Sequence, residues 1–68
     1  MNLKETVKLV DKKYIGNPTI ILQGRVMVFS GALATVICFA NSQNYEIEDD
    51  SIPFEFYPDG KTLVFRVK

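Results

Sequence analysis

Between Val26 and Ala40 only Ser30, Gly31 and Thr35 interrupt an apolar run, and whatever this chain folds into must accommodate it. A membrane-spanning helix needs about 20 apolar residues, and this run is shorter, rich in β-branched residues and bounded by Arg25 and Asn41. It has to be buried instead, in a chain of only 68 residues. A chain of that size encloses about 60% of the surface its unfolded form exposes, while ordering each residue costs about 1.5 kcal/mol. Cys38 is the single cysteine and there is no histidine, so no intrachain disulfide and no plausible zinc ligand set offsets that cost. The runs Ile20-Ile21-Leu22, Val26-Met27-Val28-Phe29 and Ala32 to Ala40 hold more apolar surface than one small core readily covers. Self-association is the remaining device. A homo-oligomer is therefore expected, with aliphatic residues such as Val26, Val28 and Val36 at the interface.

Local signals divide the rest of the chain, which reads as a single domain over residues 1–68 without repeats or linkers. Leu3, Val7, Val10 and Tyr14 recur at helical spacing, and Asn2 with Glu5 three positions on has the form of a capping box. A helix over Asn2 to Lys13 is expected, although Val7 and Leu9 around Lys8 equally fit the start of a strand. Gly16-Asn17-Pro18 ends that element. Thr19 to Gln23 and Arg25 to Ser30 have strand chemistry, with Gly24 as a bend or bulge in one long strand. Gly31 is a second break, and Thr35 to Phe39, β-branched and aromatic, reads as a further strand. It forms a hairpin across Asn41-Ser42-Gln43-Asn44 with the alternating segment Tyr45 to Glu48. A last hairpin joins Ile52 to Tyr57 with Thr62 to Val67 through Pro58-Asp59-Gly60. Its register stays open between two arrangements. A three-residue loop sets Phe56 opposite Thr62, and a two-residue loop places Phe54 and Phe56 on the face of Leu63 and Phe65.

The expected fold is mainly β within the α+β class, a short N-terminal helix followed by about five antiparallel strands in a small barrel or curled sheet. That order, with its bent first strand, resembles the layout of Sm-like, SH3-like and OB barrels. The resemblance is one of arrangement, and no motif of those families stands in the chain.

The residue types argue against catalysis. Without histidine the commonest general base is missing and Cys38 has nothing to activate it, so no enzymatic activity, catalytic residue or cofactor is expected. Cys38, between Ile37 and Phe39, reads as an inert core residue. Glu46, Glu48, Asp49 and Asp50 are an acidic cluster whose spacing matches no cation loop, so a solvated or partner-facing role is expected rather than a metal site. With Tyr45 and Tyr57, the acids Glu46, Glu48 and Asp50 form one candidate partner-binding set. Lys12, Lys13, Tyr14 and Arg25 form a second, of the kind a single-stranded nucleic acid would use.

Net charge is zero, but the signs are segregated: residues 26–60 hold six acids and no base. Basic and acidic elements are expected to meet across the fold. Met1 to Val10 carries Lys4, Glu5 and Lys8 in place of a signal peptide's apolar stretch, and a lone cysteine suits a reducing compartment. Both favour a cytoplasmic protein without membrane contact. The leading functional expectation is a small non-catalytic accessory protein acting on another protein, such as the inhibitors or modulators that compact phage genomes encode. A nucleic-acid-binding barrel is the first alternative, and an oligomer sequestering a small ligand is the second.

Overall fold

Asn2 and Glu5 do form a capping box: the Glu5 N–H donates to Asn2 Oδ1 at 2.8 Å and the Asn2 N–H to Glu5 Oε1 at 3.1 Å. The computed structural model, which describes residues 1–68, begins there with helix α1 (Leu3–Val7) and a 3₁₀ turn (Lys12–Tyr14). Strands β1 (Pro18–Gln23) and β2 (Val26–Ala32), helix α2 (Leu33–Ser42), and strands β3 (Glu55–Phe56) and β4 (Leu63–Val67) follow. The sheet has four strands in the order β2-β1-β4-β3. The class is α+β.

The sheet departs from expectation in closure, strand number and direction, and at Gly24. It is open rather than closed into a barrel, with four strands rather than about five, and its central pair, β1 and β4, is parallel. Parallel neighbours require a long crossover. Here the crossover takes up β2, α2 and β3, and β2 and β3 end the sheet as its two edges without pairing to close a barrel. Gly24 is the other correction. It bends no single strand but turns β1 back onto β2, with Gln23 opposite Val26 across the two-residue loop Gly24-Arg25. Its φ of +62° is what glycine supplies at the first position of a type II′ turn. The bulge expected there lies one step further on, where Ile21 faces Phe29 and Leu22 faces Met27.

The segment from Thr35 to Phe39 is helix, not strand. Leu33, Val36 and Ala40 are buried and Ile37 half-buried, the i, i+3, i+4, i+7 stripe of an amphipathic helix. Burying that stripe on the sheet outweighs the β preference of the individual residues. Cys38 consequently faces outward and is exposed, contrary to the core position expected of it. Val36 is fully enclosed and unavailable to an interface. Without its partner strand, Tyr45 to Glu48 forms only isolated bridges, Asn2 with Glu46 and Ile47 with Val67.

In the last hairpin Glu55 pairs with Val64 and Phe56 with Leu63, the register that sets Phe54 and Phe56 on the face of Leu63 and Phe65. The loop is longer than two residues, because pairing resumes at the Tyr57 N–H, which donates to the Thr62 carbonyl at 2.9 Å. Asp59 holds it closed: its carboxylate accepts from the backbone N–H groups of Lys61 (2.8 Å) and Thr62 (3.0 Å) and from the Thr62 hydroxyl (2.8 Å).

One core joins the layers: Leu3, Val7 and Val10 from the N-terminal segment, Leu33, Val36 and Ala40 from α2, and Ile21, Leu63, Phe65 and Val67 from the sheet. On the other face Val64 is fully enclosed, in a hollow it shares with Ile52, Glu55 and Arg66. No helix is long and apolar enough to cross a membrane.

Candidate functional site

The helix expected over Asn2 to Lys13 breaks after Val7, and the break opens a groove. The Lys8 N–H donates to the Glu5 carbonyl (3.2 Å) and the Leu9 N–H to that of Thr6 (3.0 Å), tightening the chain into a final i to i+3 turn. Asp11 then starts the 3₁₀ turn by accepting from the Lys13 N–H at 2.9 Å. Beyond it the chain crosses the start of α2, where Ala32 brings no capping side chain. Backbone carbonyls replace the cap: the Leu33 N–H donates to Asn17 (3.0 Å) and the Ala34 N–H to Ile15 (2.9 Å). These bonds anchor the 3₁₀ segment beside α2, and a groove of about 260 Å³ runs between them.

Val7, Val10 and Leu33 are buried in its floor, with Ile37 half-buried and Ile15 exposed at 45%. Lys4, Lys8 and Lys12, spaced four residues apart, all line it. Asp11 is the one carboxylate there, and its Oδ1 is engaged in the cap. Asn41 closes the α2 side. The lining holds no thiol, hydroxyl or imidazole. It does offer an apolar seat with lysines along its N-terminal side, which suits an aliphatic group with anionic neighbours.

The residues expected to contact nucleic acid are only partly brought together. Lys12 is on the groove, while Lys13 places Nζ 5.1 Å from the centroid of the Tyr14 ring. Tyr14 is half-buried and meets Phe56 edge-on at 5.2 Å. Arg25 lies in the β1–β2 turn, at the far end of a six-residue strand that spans roughly 20 Å. Lys4 and Lys8, absent from either candidate set, complete the basic row in its place. Their spacing of four from Lys12 was the available signal.

The acidic set is placed elsewhere. Glu46 and Asp50 flank the N-terminal amine at 3.9 and 3.0 Å, and the hydrogen bond to Asp50 is the main cause that holds the amine's pKa above its ordinary value. Glu48 is exposed, with its N–H bonded to the Arg66 carbonyl (2.9 Å). Tyr45 is half-buried and stacks on Phe39 at 5.9 Å, which itself stacks on Phe29 at 4.6 Å. Tyr57, 41% exposed, stands apart at the β3–β4 hairpin. No group of three or more histidine, cysteine or acidic side chains converges in a way that would hold a metal ion. Glu55 binds Arg66 at 2.7 Å and raises the guanidinium pKa, so that pair is internally satisfied.

No protein-family model matches the chain, and no curated protein or solved structure matches it.

Proposed function

We propose that this chain is a small non-catalytic binding protein, and that its groove between α1, the 3₁₀ turn and α2 grips an acidic segment of a partner protein. The observation that carries the reading is the row Lys4, Lys8, Lys12 beside a floor of Val7, Val10, Leu33 and Ile37. Exposed lysine–carboxylate pairs are each worth only about 0.2–1 kcal/mol. Affinity must therefore come from an aliphatic side chain seated on the floor, with the lysines steering approach and selecting acidic neighbours. Such a contact suits an accessory role in which this chain inhibits or modulates the protein it holds.

Selection from a random-peptide display library tests this directly. The enriched peptides should carry a leucine or isoleucine flanked by aspartate or glutamate, and Lys8→Glu, which loses one pair and adds a repulsion of similar size, should weaken them about two- to thirtyfold. Enrichment of basic or charge-free sequences, or binding unaltered by Lys8→Glu, would refute the reading. Tighter binding to a single-stranded oligonucleotide than to any selected peptide would favour the nucleic-acid alternative. A small molecule carried through purification would favour sequestration.

A further inference from the structure

We infer that two copies of this chain pair β2 with β2 across a two-fold axis, joining their sheets edge to edge. The site shares no residue with the groove and stands or falls separately from it. β2 pairs only with β1, and no turn, loop or side-chain hydrogen bond reaches residues 26–32. Counted from the closing pair Gln23 and Val26, the alternation of the ladder turns the N–H and C=O groups of Met27 and Ser30 away from β1.

An open edge is a template for another strand, and native edges are blunted by shortness, charge, proline or bulges. The opposite edge has three of these: β3 is two residues long, lies between Pro53 and Pro58, and carries Glu55 in its ion pair with Arg66. β2 is seven residues without charge or proline, relieved only by its bulge. Val26 and Met27 on it are 61% and 54% exposed. That contrast marks β2 as an edge meant to be covered.

Charge identifies the occupant. A two-fold contact presses a surface against itself. The groove face would set lysines against lysines, and the loop Glu48-Asp49-Asp50 would set carboxylates against carboxylates. β2 meets its own copy with no like charges opposed, and antiparallel pairing keeps the two Arg25 side chains at opposite ends. The alternative of a lysine groove taking a neighbour's acidic loop is a head-to-tail contact, which grows into filaments unless it closes into a ring.

Sedimentation equilibrium from micromolar to near-millimolar concentration, combined with amide exchange, decides the matter. The wild-type protein should reach a dimer of twice 7.7 kDa, with the Met27 and Ser30 amides protected at high concentration and exchanging freely on dilution. Met27→Lys, at an exposed position, should remain monomeric with its far-ultraviolet circular dichroism unchanged and its groove still binding peptide. Lys8→Glu should still dimerise. A single 7.7 kDa species throughout, a dimer whose Met27 and Ser30 amides exchange freely, or polymers abolished by Lys8→Glu would each overturn the inference. The exchange measurement on wild-type protein gives the answer even if the lysine variant fails to fold.

Discussion

Alanine at two adjacent positions of α2 should shift stability in opposite directions. Val36 is fully buried, and truncating it to alanine removes two methyl groups, worth about 1.6 kcal/mol of transfer free energy at about 0.8 each. Incomplete collapse of the site adds about 1 kcal/mol, and the better helix propensity of alanine returns about 0.5 kcal/mol. The net loss is about 2 kcal/mol. Thr35 is exposed on the same helix, so Thr35→Ala changes little but propensity and should gain about 0.5 kcal/mol. With a urea m-value of about 1 kcal/mol/M, near the low end for small domains, the unfolding midpoint should fall by about 2 M in Val36→Ala and rise by about 0.5 M in Thr35→Ala. Were residues 35–39 a strand, Thr35→Ala would instead destabilise by up to about 1 kcal/mol, because threonine is the better strand former. A lowered midpoint in Thr35→Ala, or an unchanged one in Val36→Ala, refutes the helix and the groove wall built on it.

The turn, the thiol and the acid limb of the stability curve give further checks. Gly60 has φ +71° with nothing within 4 Å of where a Cβ would stand, so Gly60→Val should lose about 1–2 kcal/mol to backbone strain alone, read as a lowered melting temperature. Cys38 should react with a thiol reagent in the native protein as fast as a free peptide thiol does, since it is exposed; labelling that waits for denaturant contradicts its place on α2. Asp59 is held below its ordinary pKa of 3.8, chiefly by the Thr62 N–H and then by that of Lys61. A depressed native pKa makes its contribution complete above about pH 3.8, with loss as pH falls through the native value. Asp59→Asn should therefore flatten the fall in melting temperature below pH 4, and an unaltered acid limb would count against the loop.

What could be read in advance was local, and what could not was decided by partners far along the chain. The Asn2–Glu5 box and the Pro58-Asp59-Gly60 turn satisfy their own backbone groups within a few residues, so their residue types suffice to place them. Val36, Ile37 and Phe39 favour strand individually, yet the stripe formed with Leu33 and Ala40 has a sheet to cover, and that sheet exists only once β1 and β4 pair across some 40 residues. The Gly24-Arg25 loop is ambiguous in the sequence for a related reason, since a glycine within a β-rich stretch serves a bulge or a hairpin equally well until the partner strand is known. The same holds for the groove. The spacing of Lys4, Lys8 and Lys12 is visible along the sequence, whereas its floor depends on Leu33 and Ile37, which reach it only because residues 33–42 are helical.

Mapping a bound ligand onto the groove by NMR decides whether it is a binding site. Isotope-labelled protein, titrated with the tightest acidic peptide from the display selection, should show its largest methyl shifts at Val7, Val10, Leu33 and Ile37. Intermolecular contacts from those methyls to the peptide's aliphatic side chain should accompany them. Largest shifts at Tyr45, Tyr57 or the β2 edge, with the four floor methyls unmoved, would contradict the account.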